Sequence, residues 1–448
     1  MSGLSAAIRL SHFGFKTLVL ERHYRPGGLN SFYKMGGYDL DVGLHAMTNY
    51  VNGGPKSAPL NMVCRQLRLS LPEIKLAPQN YSKIVFPGKT ITFDNNFDNL
   101  AQHVAEGFPA QADNFIKLAN IVREFNIMDY SREYVSGREV VSSIITDPLL
   151  VEMLFLPLMY YGSSEEDDME FGQFVVMFRS IFLEGFARPE GGVRRLIKQL
   201  VRRIKDGDGK IRLKSGVAKV VMDKGEVRGV VLDDGEEIEC GSVISSVGLP
   251  ETASICPESD SNASPGKLSF MESINILKNR HDEIGEGASI VFFNKNKNFT
   301  YRNPDVPVDL DSGVICYPDN FHYEEPTVSG MIRITHMADH RFWLSADEAA
   351  YAENKKLWHK RSIDAVKNIA PDLGGDMVFT DVFTPKTIRD FTGHVNGTVY
   401  GSPDKMKTGR TPIDGLYVCG TDQGFLGIVG SMISGVMVAN DVMKSIQG

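Results

Sequence analysis

The tightest constraint on the fold lies in residues 1–21, where a helix rich in small side chains leads at once into an apolar strand ending in an acid. Gly3, Ala6 and Ala7 fall on one side of a helix predicted over residues 3–13, and Gly14 stops it. Thr17, Leu18, Val19 and Leu20 read as a strand buried in a parallel sheet, closed by Glu21. This is the second half of a dinucleotide-binding βαβ unit. In its fingerprint G-x-G-x-x-G, the third glycine lets helix and strand pack closely, and an acid about 20 residues further on bonds a ribose hydroxyl. Gly3 and Glu21 fit those two roles. The earlier glycines would precede Met1, so the leading strand and phosphate loop are expected to be missing, with weak dinucleotide retention by the chain as written.

Two glycine-rich stretches follow, Arg25-Pro26-Gly27-Gly28 and Gly37-Tyr38-Asp39-Leu40-Asp41-Val42-Gly43-Leu44-His45. Paired glycines let a backbone approach a phosphate where a side chain would block it. The other end of the chain carries a matching device. Gly415 to Gly420 reads as a short buried strand, followed by Thr421-Asp422 and a helix starting near Gly427. Gly427, Gly430, Ser434 and Ala439 give that helix a small-residue stripe, and its N-terminus could present free N–H groups to a diphosphate.

Glu21-Arg22 with Gly27-Gly28 resembles the E-[KR]-x-x-x-x-G-G stretch of the amine-oxidase superfamily. Gly37 to Gly43 is similar to the G-[FY]-x-x-D-x-G segment of its phytoene desaturase, carotenoid isomerase and retinol saturase branch; Leu29 departs from the basic residue many relatives carry there. Arg188-Pro189-Glu190-Gly191-Gly192, the amphipathic helix after it, a hairpin and a return strand over 242–247 resemble a further family module. Thr384-Pro385-Lys386-Thr387 before Tyr400-Gly401 resembles the carotenoid-desaturase branch. The resemblance implies an α/β fold, with a Rossmann-like FAD-binding domain of the GR2 type (residues 1–49, 188–255 and 384–448) interleaved with a mixed α+β substrate domain (50–187 and 256–383). It implies FAD contacts at Gly3, Glu21, Arg22, Gly27, Gly28, Gly43, Val217, Gly420, Asp422, Gly427 and Gly430. Val217 would meet the adenine through its backbone, Asp422 the ribityl or pyrophosphate region, and both acids are expected to serve affinity rather than folding. His45 falls near the flavin ring and is the candidate catalytic side chain.

A flavin site without a second dinucleotide fingerprint points to a flavin that reacts directly with an organic substrate; Gly285-Glu286-Gly287 lacks the third glycine and a leading strand. The family implies hydride transfer with a long apolar polyene or isoprenoid, desaturation ranking ahead of double-bond saturation and cis/trans isomerisation. Amine oxidation is a second enzyme reading, and a non-catalytic truncated remnant a reading of another class. The run Leu154 to Tyr161, with Phe171, Phe174, Met177, Phe178 and Phe182, is expected to be mostly core with a minority lining a tunnel.

The charge balance, 48 Lys and Arg against 56 Asp and Glu, opposes a nucleic-acid partner. Arg194, Arg195, Lys198, Arg202 and Arg203 read as a solvated helix face, with an anionic membrane as the alternative, so the expected location is cytoplasmic and at most peripheral to a membrane. Five cysteines without a CxxC pair suggest a reducing compartment and no metal site. His336 and His340 lack a surrounding HExxH, Asp206 to Gly209 reads as a turn, and Glu165 to Asp168 as a solvated acidic turn. Leu149 to Tyr161 is too short for a membrane span and should be broken at Pro157; Gly424 to Met443 is too polar and glycine-rich for one. Nothing in the sequence sets an oligomeric state.

Overall fold

In a computed structural model of the chain, residues 1–51, 53–129, 131–259, 263–278 and 284–447 are described. The helix Ser2–His12 buries Leu4, Ala6, Ala7 and Ile8. It leads into the strand Leu18–Glu21, which runs parallel to Lys210–Leu213. A second parallel pair joins Val243–Ser245 to Leu416–Val418. The two pairs do not join into one sheet, and residues of Leu18–Glu21 and of Val243–Ser245 border the same cavity. Leu18, expected to be buried, is 38% exposed for this reason. A parallel strand is buried only where neighbours cover it, and this one is paired along a single edge. The last helix, Gly427–Gln447, packs against Ser2–His12 at backbone distance: a Cβ on Gly435 would fall 2.1 Å from the Ser2 carbonyl oxygen.

The rest of the scaffold is a seven-stranded mixed sheet in the order Met377–Phe383, Phe270–Leu277, Met331–Met337, Ser312–Cys316, Ile290–Asn294, Ser82–Phe86, Lys89–Phe93. All its pairings are antiparallel except Ile290–Asn294 with Ser82–Phe86. Both sides of Met331–Met337 are covered, and every residue in it is buried. One face packs against the helix Pro148–Gly162 and an aromatic cluster including Phe155, Phe174, Phe178 and Phe292. The other packs Ile332 and Ile334 against Ile363 and Val366 of the helix Glu348–Val366.

Pro148–Gly162 corrects an expectation, because the helix runs unbroken through Pro157. A proline inside a helix removes a hydrogen bond and costs about 3 kcal/mol. Here the loss is offset by burial of Met153 to Tyr160 on all sides and by Asp147, which caps the N-terminus by accepting from Leu149 N and Leu150 N. Among the described residues no helix is long and apolar enough to cross a membrane.

Candidate functional site

The loop after the strand Tyr38–Asp41 is clamped by two buried arginines. Arg188 donates from Nη2 to Asp41 Oδ2 at 2.6 Å and from Nη1 to the carbonyl oxygens of Leu44 and His45 at 2.6 and 2.7 Å. Asp41 Oδ1 accepts from Val193 N at 3.1 Å, and a Cβ on Gly192 would lie 2.4 Å from Asp41 Oδ2, so that position has no room for a side chain. The D-x-G and R-P-E-G-G motifs, far apart in sequence, thus form one ion-paired joint. Arg333, 0% exposed, supports the same loop through Val42 O at 2.5 Å and Leu44 O at 3.0 Å.

The loop held by this joint, Val42 to Ala46, forms part of the wall of a cavity of about 2100 Å³. Ordinary small-molecule pockets measure about 300–1,000 Å³, so this one has room for a dinucleotide and a second large molecule. Gly3, Glu21, Arg22, Gly27, Gly28, Gly43, His45, Val217, Asp422 and Gly427 all line it. Gly420 instead sits against Ser2, and Gly430 packs against Phe425 inside the last helix. Arg22 and Val217 are brought together, since Arg22 Nη2 donates to Val217 O at 3.2 Å while the guanidinium pairs with Asp233 at 3.0 Å.

The chemistry of this lining fits FAD. The N-termini of Ser2–His12 and Gly427–Gln447 both reach the cavity, supplying backbone N–H groups and the positive ends of two helix dipoles. Five lining side chains have buried polar atoms without a hydrogen-bond partner: Thr17 Oγ1, His23 Nε2, Arg25 Nε, Tyr161 Oη and His394 Nδ1. Buried polar groups are normally paired, so such atoms along one cavity mark where a polar ligand completes the structure. Glu21 spends one oxygen on His23 N at 2.9 Å. Asp422 is different. It is 1% exposed, and its carboxylate accepts from Leu249 N at 2.6 Å, Ser402 N at 2.9 Å and Lys405 Nζ at 3.4 Å. This corrects the expectation that it serves affinity alone, since it also ties the backbone at Leu249 and at Ser402 to its own segment.

At the aromatic end, His45 Nε2 stands 3.4 Å from Glu272 Oε2 and 3.2 Å from Thr335 Oγ1. Burial opposes the charge on Glu272, yet Arg333 and His45 beside it hold its carboxyl down to about 2. Burial lowers the imidazole of His45 below its ordinary value, with Glu272 opposing that shift. Tyr161, whose ring centroid is 6.2 Å from that of His45, has its hydroxyl pushed well up by burial. Glu272 and Arg333 went unremarked in the sequence, whereas Tyr161 was read only as part of the apolar run Leu154 to Tyr161. A signal existed for the first two, because each is a lone charge inside an apolar strand, in Phe270-Met271-Glu272 and Met331-Ile332-Arg333-Ile334. Such a charge is usually paired across the sheet.

Other expectations resolve outside the cavity. Glu165 to Asp168 is no freely solvated turn: Asp168 accepts from Ser136 Oγ and Arg138 N, Asp167 from Tyr301 N, and Glu165 from Tyr134 Oη. Four arginines of the basic helix Arg194–Asp206 are paired with Asp39, Glu190, Glu73 and Asp206, which reduces the charge it can offer an anionic surface. His336 is a core residue, bonded to Ser312 O and Ser362 Oγ.

Fold and cavity together fit a dinucleotide-binding protein in which two parallel strand pairs meet a large mixed sheet. Residues 1–443 match the family of flavin containing amine oxidoreductases, and the chain belongs to that family. It is 22% identical to the chloroplastic prolycopene isomerase of Arabidopsis thaliana, over 100% of this chain and 82% of that one. It is also 22% identical to the all-trans-retinol 13,14-reductase of Danio rerio, over 99% of this chain and 84% of that one. Among solved structures, an oxidoreductase from Methanosarcina mazei superposes with a TM-score of 0.67 at 18% identity, covering 99% of this chain and 98% of that one. A putrescine oxidase triple mutant does so with a TM-score of 0.65 at 13% identity, covering 99% and 97%. The protein is an FAD-dependent oxidoreductase of the amine oxidase superfamily.

Proposed function

We propose that this enzyme exchanges hydride between FAD and a long apolar polyene or isoprenoid, with desaturation ranked ahead of saturation and isomerisation. The observation that carries the reading is the aromatic end of the cavity, where Tyr160, Tyr161, Met177, Phe270, Tyr400 and Leu426 form the lining. Each buried methylene of a chain lying there contributes about 0.8 kcal/mol, so an elongated hydrocarbon needs few polar anchors. The carboxylate at that end, Glu272, is engaged by Arg333, which leaves it poorly placed to receive a substrate ammonium group. Relatives named for prolycopene isomerisation, retinol reduction and diapophytoene desaturation support a polyene class without selecting the direction.

In this reading residues 1–49, 188–255 and 384–448 hold the cofactor, and 50–187 and 256–383 hold the substrate. Gly3, Gly27, Gly28, Gly43 and Gly427 leave the backbone free to approach the FAD phosphates, and Glu21 accepts from a ribose hydroxyl. A bound flavin supplies the hydride chemistry; the protein orients the polyene, excludes water and handles the accompanying proton, for which His45 is the candidate. Peripheral contact with a membrane would give such a substrate its route of entry. The test is product analysis after incubating the FAD-loaded protein with C30 and C40 polyenes, retinol and alkyl amines. A polyene with altered bond order or geometry supports the reading, and turnover of amines alone overturns it.

A further inference from the structure

We infer that Glu272 is a positioning residue that sets the tautomer of His45, so that Nδ1 of His45 is the atom that exchanges a proton with the substrate. This rests on the proposed hydride chemistry, because a hydrocarbon that loses a hydride to an oxidised flavin must also lose a proton, and the reverse reaction must gain one.

The geometry fixes the roles. An ionised carboxylate only accepts hydrogen bonds, and Arg333 donates to Glu272 Oε1 from Nε at 2.5 Å and also through Nη2. The proton of His45 therefore sits on Nε2, facing Glu272 Oε2 at 3.4 Å with Thr335 Oγ1 at 3.2 Å. Nδ1 is left with its lone pair and no hydrogen-bond partner among the described residues, on a side chain that lines the cavity. Tyr161, also lining the cavity with its ring centroid 6.2 Å from that of His45, has an unpartnered buried hydroxyl, an independent sign that a ligand belongs in this region. Arg333 bonds both Glu272 and the backbone at Val42 and Leu44, so the acceptor and the loop carrying the imidazole are held by one rigid group.

In the desaturating direction a C–H bond breaks heterolytically, its electron pair forming the new C=C bond, and the proton goes to Nδ1. The resulting imidazolium faces Glu272, which balances its charge. Around the ring stand Glu272 and Arg333 from the sheet, Arg188 on the preceding carbonyl oxygens, Cys316 with Sγ 3.8 Å from His45 O, and Tyr161. Burial favours the neutral imidazole before reaction, Glu272 opposes it, and the two buried arginines add a smaller push in the direction of burial.

The test uses FAD-loaded protein with labelled histidine and the variants His45→Asn, Glu272→Gln and Thr335→Val. Nitrogen NMR should find His45 protonated at Nε2 and bare at Nδ1 near neutral pH, with a further lowering of its titration midpoint in Glu272→Gln. Because Glu272→Gln leaves Arg333 uncompensated and could fail to fold, His45→Asn, which keeps the Arg333–Glu272 pair, carries the kinetic arm. It should retain FAD and fold while losing about 10²–10⁴ in polyene turnover and in deuterium uptake from D2O. A His45 protonated at Nδ1, or His45→Asn turnover within threefold of the parent across the pH range, overturns the assignment. If no polyene is turned over at all, the proposed function fails, and the NMR tautomer still decides the Glu272–His45 relation.

Discussion

The strand Leu18–Glu21 and the strand Met331–Met337 both border the cavity region, and they are built on opposite principles. Leu18–Glu21 is half-exposed, paired along one edge, and surrounded by glycines, helix ends and polar atoms without partners. Met331–Met337 is buried throughout, paired on both edges, and its one charge, Arg333, is bonded to a carboxylate and two carbonyls. In the proposed reading the first wall is therefore completed by the FAD it binds, whereas the wall behind His45 is nearly complete by itself. Ligand should order the first and leave the second unchanged.

The largest effect that would sharpen this contrast lies in the second wall. Arg333→Met strands Glu272 as a buried unpaired charge and should cost about 3–5 kcal/mol in denaturant unfolding. Acid should act on the same wall. The imidazole of His336 is pushed down to about 4 from 6.5 by burial. Its stabilising contribution is present above pH 6.5 and is lost as pH falls through 4, because the unfolded chain takes up the proton first. The loss is about 3 kcal/mol and should flatten in His336→Gln, measured by unfolding between those limits. The cofactor wall should respond differently. Glu21→Ala is expected to weaken FAD binding by about 1–3 kcal/mol while apoprotein melting is unchanged. Asp422→Ala should lower both, since its carboxylate holds Leu249, Ser402 and Lys405. The smallest effect belongs to the outer surface, where Arg202→Ala breaks an exposed pair with Glu73 and should change stability by under about 1 kcal/mol.

The two walls also differ in how well the sequence announces them. That Gly3, Gly27, Gly28, Gly43 and Glu21 line one cavity was legible because their backbone demands leave marks, at spacings that local geometry imposes; their contacts with FAD remain a proposal. The open edge of Leu18–Glu21 was not, since an apolar run reads the same whether one neighbour or two cover it. Pro157 misled because the cost of a helix proline is local and visible, whereas the all-round packing that offsets it is tertiary. Glu272 and Arg333 meet across paired strands 61 residues apart. Only sheet register brings such residues together, so a lone charge in each strand hints at a partner without naming it.

In the proposed function one cavity holds FAD against an apolar end built for a polyene. Anaerobic mixing of FAD-loaded protein with a C40 polyene, with an alkyl amine, and with each after chemical reduction of the flavin, follows it through flavin absorbance. A flavin redox change, or bond isomerisation without net flavin change, is expected with the polyene and none with the amine. Flavin reduction by the amine, with a polyene neither bound nor altered in any flavin state, would contradict it.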